Sequence, residues 1–196
     1  SLIINGCPLK SINQYYNKKL AKLRSQLPKG VYTSNKIKKL TQKRNNKIND
    51  YLHKASSKVL SFLLKNNIEC LIVGSNKKWK QNINLGKKTN QNFVSIPYYK
   101  YKSMLEYKCK MFGIHFIERE ESYTSKCSFL DMEDIKKHDT YKGNRTKRGL
   151  FISQLGYKIN SDINGAFNIA RKEFGNDFFS YYNDYINNHI IKVTLD

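Results

Sequence analysis

The 196-residue chain is poor in several things at once. Acidic residues number 15 against 36 lysines and arginines, so the formal charge is +21. Its four cysteines, Cys7, Cys70, Cys109 and Cys127, are scattered, and no C-x-x-C pair exists. A zinc ribbon cannot be assembled from that spacing, and the pattern suits reduced cytosolic thiols better than a disulfide framework. No apolar run approaches the roughly 20 residues that a bilayer span requires, so no membrane partner is expected. Ser1 to Gly6 lacks the charged region, apolar stretch and cleavage site of a signal peptide, and there is no starting Met. These features suggest a fragment or a cleaved product. No Asp lies in the first 49 residues, and no internal repeat is evident.

What is abundant is lysine and asparagine, with little arginine. Such an excess of one charge repels itself and attracts polyanions, so nucleic acid is the leading partner class. The competing reading is a set of solvated lysine faces in a chain encoded by an AT-rich genome.

Leu2-Ile3-Ile4 reads as a short strand before a turn at Asn5-Gly6. Residues 11–27 read as a basic helix that stops near Pro28. Residues 34–65 carry the strongest periodicity: Ser34 is placed as an N-cap, and Ile37, Leu40, Arg44, Ile48, Leu52, Ala55, Val59 and Phe62 recur every three or four positions. Asn66-Asn67 should end that helix, whose other face is rich in Lys, Arg and Asn. Ile68 to Val73 reads as a buried, parallel strand stopping at Gly74. Pro97 suits a helix first turn, with Tyr101, Met104, Leu105, Met111 and Phe112 on one face and Gly113 as its stop. Ile114 to Ile117 is a further strand, and residues 120–150 read as a polar loop. Asn160 or Ser161 caps a helix with an apolar stripe of Ile163, Ala166, Phe167, Ala170 and Phe174. Residues 176–196 could be a helix or a tail. Strand, helices, strand, helix, strand, loop and helix in this order imply an α/β layered domain.

Several blocks occur in a fixed order. Val73-Gly74-Ser75-Asn76-Lys77-Lys78-Trp79-Lys80-Gln81 leads through Leu85-Gly86 to Ile96-Pro97. Glu120-Glu121-Ser122-Tyr123-Thr124-Ser125-Lys126-Cys127-Ser128 comes next, then Arg145-Thr146-Lys147-Arg148-Gly149. Asn160-Ser161-Asp162-Ile163-Asn164-Gly165-Ala166-Phe167-Asn168-Ile169 follows. In this order they resemble the TnpB/OrfB proteins of insertion sequences, relatives of the Fanzor proteins and the type V CRISPR effector nucleases. The resemblance covers nearly the whole chain, and the two later blocks are its most specific part.

The resemblance implies an RNase H-like, RuvC-type mixed sheet flanked by helices, its first strand or strands missing. It also implies a nuclease that cuts DNA selected by a guide RNA, so DNA and guide RNA are the expected partners. Such chemistry uses carboxylates converging on two divalent ions about 3.5–4 Å apart. Magnesium is the expected metal, since it prefers carboxylate, water and phosphate oxygens. In the family three carboxylates do this: an Asp on the first strand, a Glu, and a late Asp. Asp162 matches the late one; without the family it would read as a helix-dipole partner. Most members carry the Glu where this chain has Gly74, and glycine cannot ligate a metal. One branch moves it to the start of the Tyr-Thr-Ser-Lys block, where Glu121 is the expected ligand and Glu120 the alternative.

The first Asp has no match. The resemblance places it, together with RNA-binding N-terminal domains, upstream of residue 1, so this chain alone is not expected to cut. No zinc is expected either: only Cys127 remains of the usual four-cysteine ribbon, which a metal-free loop and short helix around Asp131–Lys137 should replace. His138 reads as a lone surface histidine. Arg145, Lys147 and Arg148 are the expected phosphate contacts. Trp79 with Lys77 and Lys80 could stack on and hold nucleic acid, or Trp79 could anchor its loop. The implied organisation is a partial nuclease domain over 1–175, with a helical insertion near 34–67 and a ribbon-replacing loop near 122–150, then a helix or tail over 176–196.

Overall fold

A computed structural model describes residues 2–76, 96–147, 149–179 and 191–193. Along the chain run β1 (Leu2–Ile4), α1 (Cys7–Arg24), α2 (Asn35–Lys65), β2 (Cys70–Ser75), α3 (Tyr98–Met111), β3 (His115–Glu120), β4 (Asn144–Lys147), β5 (Leu150–Ile152), β6 (Lys158–Asn160), α4 (Ser161–Phe174), a 3-10 turn (Asn176–Phe179) and β7 (Ile191–Val193). The chain is a mixed α/β protein with small sheets. Its strands pair as β1 with β7, β2 with β3, and β4-β5-β6. Contacts divide the described residues into two units: 2–68 with 96–113 and 192–193, and 69–76 with 114–147, 149–179 and 191.

The helical unit is built on α1, α2 and α3. Helix α1 starts four residues before the expected position. Pro8 fits its first turn, where a backbone N–H has no partner to lose, and Asn5 Oδ1 accepts from Cys7 N–H at 3.0 Å. Helix α2 begins as expected, with Ser34 Oγ accepting from Ile37 N–H at 3.3 Å. At its end Asn67 takes a left-handed φ of 51°, and Ile68 N–H bonds back to Leu63 O at 2.9 Å, a Schellman-type stop.

Leu9, Ile48, Tyr51, Leu52, Ala55, Ile96 and Met104 form the core of this unit. Asn13, fully buried, joins α1 to α2 by accepting twice from the Arg44 guanidinium, at 2.9 and 2.7 Å. On α3 the expected face is displaced: Met111 and Phe112 are exposed, and Lys108 and Cys109 are buried. Lys108 can be buried because Nζ donates to His53 O, Ser56 Oγ and Ser57 Oγ at 3.1, 2.7 and 2.8 Å. Burial lowers its pKa.

In the other unit β2 and β3 run parallel, Cys70 opposite His115 through Ser75 opposite Glu120. The polar stretch expected to be loop throughout contains β4 and the first residue of β5. These pair antiparallel, Arg145 opposite Phe151, with a bulge between Arg145 and Lys147. Three-residue and four-residue strands are too short to display a period, which is why the sequence hides them. The short helix expected around Asp131–Lys137 is absent; turns and bends replace it. There Glu133 accepts from Ser128 N–H (2.7 Å) and Lys142 N–H (2.8 Å), and His138 Nε2 meets Asp134 O at 2.8 Å. Side chains thus take the backbone partners a helix would need.

Candidate active site

Glu121 lies just past the carboxyl ends of β2 and β3, and its N–H donates to Ser75 O at 3.3 Å. The carboxyl edge of a parallel sheet is where ligands of α/β folds gather. Its side chain rests on Gly74: a Cβ built there would lie 2.5 Å from Glu121 Oε2 and 2.8 Å from Ile169 Cδ1. Contacts under 3 Å are not sustained, so a side chain at 74 and this placement of Glu121 exclude each other. Gly74 is therefore the space the glutamate occupies.

A tight turn follows. Thr124, buried, donates from both N–H (3.3 Å) and Oγ1 (2.8 Å) to Glu121 O. Tyr123 takes a left-handed φ of 65°, a costly conformation for a non-glycine residue. Its O accepts from Lys126 and Cys127 N–H, both at 3.0 Å.

Helix α4 brings Asp162. Asn160 is the N-cap, its Oδ1 accepting from Asp162 N–H (2.8 Å) and Ile163 N–H (3.3 Å). Asp162 is exposed in the first turn. Two buried asparagines then bond the helix to the segment after Glu121. Asn164 accepts from Phe129 N–H and donates to Cys127 O, both at 2.9 Å. Asn168 donates to Thr124 O at 3.0 Å and Cys127 O at 2.8 Å. Arg171 continues this polar face, donating to Glu133 O and Asn168 Oδ1, each at 3.2 Å. The expected apolar stripe of α4 is displaced accordingly. Ile163 is buried and Phe167 stacks on Phe129 at 4.7 Å, but Ala166 and Phe174 are exposed.

Glu120 is committed elsewhere. Lys172 Nζ donates to its Oε2 at 2.8 Å and Ser122 N–H to its Oε1 at 2.8 Å. Lys172 first, and Ser122 second, pull its pKa down to about 2. Arg119 pairs with Glu173 beside it. An open concavity of about 960 Å³ is bounded by Ser75, Asn76, Glu118, Arg119, Glu120 and Lys172. Among the described residues no group of three His, Cys, Asp or Glu could hold a metal ion.

Arg145 and Lys147 are exposed on β4. Lys77, Trp79, Lys80 and Arg148 lie outside the described residues. Sequence reasoning missed Asn164, Asn168, Arg171, Glu133 and Lys172. The first three recur at four and three positions along α4, the period of a buried face, and only their polarity hid them.

Residues 1–80 match the family model OrfB_IS605, described as a probable transposase, and residues 98–169 match the Cas12f1-like TNB domain. The TnpB-like protein ORF457 of Acidianus two-tailed virus is 33% identical over 95 residues, 47% of this chain and 19% of that protein. The fold is similar to a chain in the cryo-EM structure of the Cas12f1-sgRNA-target DNA complex, with a TM-score of 0.56 and 19% identity. That match covers 82% of this chain and 42% of the other. At that identity it is a likeness of fold. The chain thus shares the fold of that Cas12f1 chain and resembles transposase-related proteins over its first 80 residues. Among these, this chain is similar in sequence to the TnpB-like proteins. It spans less than half of either relative's length. Among the described residues no helix is long and apolar enough to cross a membrane.

Proposed function

We infer that Glu121 and Asp162 are two ligands of a RuvC-type, RNase H-like, magnesium-dependent site that cuts guide-RNA-selected DNA. The observation that carries this reading is the seating of Glu121 on Gly74, beside a turn hydrogen-bonded to the helix that carries Asp162 in its first turn. A glycine there matters because glutamate stands at that position in most of the family, and here the space is filled by a glutamate from the neighbouring strand end. Glu120, tied to Lys172, is the weaker candidate.

The donor set suits magnesium, a hard ion that takes one or two carboxylates and completes its shell with water and phosphate oxygens. When bound, the metal would activate water and stabilise the leaving oxygen. The chain's own part is to hold two acids in fixed elements, and to offer Arg145 and Lys147 to the nucleic-acid backbone. With no third acid grouped beside them among the described residues, the 196-residue chain binds magnesium weakly and does not cut by itself.

Calorimetric titration tests this. Magnesium should bind in the millimolar range, and Glu121→Gln or Asp162→Asn should each abolish the heat, whereas Glu120→Gln should not. Unchanged heat in both of the first two variants would remove the reading. A second reading, a nucleic-acid-binding protein without catalysis, starts from the same lack of a third grouped acid among the described residues. It predicts salt-dependent DNA binding that Glu121→Gln and Asp162→Asn leave intact, with no magnesium heat in the unsubstituted chain.

A further inference from the structure

Residues 1–68 contain 15 lysines and arginines and a single acid, Asp50. On α2 the charges are ordered. Lys36, Lys43, Lys47, Lys54, Lys58 and Lys65 are separated by alternating steps of seven and four residues. At 3.6 residues per turn, steps of seven and four return to nearly the same direction, so all six stay within an arc of about 60°. All six are exposed, and at 1.5 Å per residue the row runs roughly 43 Å. Its flank is fixed by packing: Ile48, Tyr51, Leu52 and Ala55 are buried in the helical unit's core, which orients the rest of the helix. In the row Lys54 pairs with Asp50 at 3.3 Å.

A helix needs no such row to be soluble. Alternating signs at i and i+4 would stabilise it, whereas like charges at that spacing repel by a few tenths of a kcal/mol per pair. The row is thus maintained against local helix stability, and a polyanion laid along it removes the repulsion.

We propose that the lysine row of α2 is a sequence-independent docking track for the sugar-phosphate backbone of double-helical nucleic acid. Its length exceeds one duplex turn of about 34 Å, so it can meet backbone on both sides of a groove. Lysine ammonium groups are flexible point charges without the arginine fork that reads guanine edges, so the track positions rather than selects. The proposal rests on the nucleic-acid reading above, but it concerns residues other than the acids.

The test measures binding of the full chain to DNA and RNA duplexes of about two turns across a salt series. Replacing Lys36, Lys43, Lys47 and Lys58 by Gln should flatten the slope of log affinity against log salt by up to about 3.6, near 0.9 per lost contact. A control with the same charge loss off the row, Lys38→Gln, Lys100→Gln, Lys110→Gln and Lys137→Gln, should keep most of the slope. Equal flattening in both variants would reduce binding to net charge and overturn the track. On the unsubstituted chain, bound duplex should protect Lys43 and Lys47 from an amine-reactive label more than Lys38; equal labelling overturns the track whatever the variants do. A chain that ignores duplex and binds anionic vesicles overturns the track and the nucleic-acid reading together. Loss of the track with DNA binding retained overturns the track alone.

Discussion

The two units are held together by different chemistry. In the helical unit the core is aliphatic and aromatic, with Leu9, Ile48, Leu52 and Met104 at its centre, and polar groups enter as exceptions such as Lys108, whose Nζ has three acceptors, and Asn13, whose Oδ1 holds Arg44. In the unit that carries the candidate acids, Asn164, Asn168, Arg171, Glu133 and Ser128 are buried alongside Phe129 and Phe151. Apolar burial is non-directional and tolerates small shifts, whereas a buried amide is satisfied only at particular positions of its partners. The proposed site, with an acid on each of two elements, would be better served by the second kind of core. The difference teaches that here polar burial marks precision, and apolar burial marks scaffold.

Substitutions should break this contrast in a definite order. Leu52→Ala should cost about 3 kcal/mol by opening a cavity in the helical core. Urea denaturation would measure that, and amide exchange at Thr124 to Phe129 should be unaffected below the unfolding transition. Asn168→Ala should cost about 2 kcal/mol, because it leaves Thr124 O without its side-chain donor and Cys127 O with Asn164 alone. It should speed exchange of those same amides and weaken magnesium binding while Glu121 and Asp162 are unchanged; normal exchange with a stability loss alone would mean that the asparagine merely fills space. Ser34→Ala should cost about 1 kcal/mol through the lost α2 cap, seen as a small fall in Tm.

The Glu120–Lys172 pair should have the smallest effect. Its folded pKa, about 2, lies below the ordinary 4.5. Its contribution is therefore complete above pH 4.5 and is lost as pH falls toward 2. Because the carboxylate is largely exposed, screening holds the effect under about 1 kcal/mol, and Glu120→Gln should flatten the acid limb of stability only by that much. A chelator should leave Tm unchanged, because the loop after Glu121 is tied by Glu133, Asn164 and Asn168 rather than by thiolates; a clear drop in Tm would mean that a metal helps hold it.

Much of this was legible without coordinates. Ser34, the period of Ile37, Ile48, Leu52 and Ala55, and Asn66-Asn67 announce α2 from cap to stop, since a 31-residue helix repeats its signal many times. Asn160 and Gly175 bound α4 in the same way. The ordered blocks around Glu121 and Asp162 were legible too, as a family resemblance. The polar face of α4 and the strands β4 to β6 were not. A buried asparagine looks like a surface residue until its partners are known, and those partners lie 35 to 44 positions away.

The sequence by itself determined the long helices, their basic surface and the acids available for chemistry, because periodicity, caps and charge are local properties. Only the tertiary structure decided that Gly74 is a seat for Glu121, that Glu120 is spent on Lys172, and that polar side chains form the core behind them. The physical reason is that a close approach between distant segments depends on which atoms meet across the fold, and no local pattern encodes that.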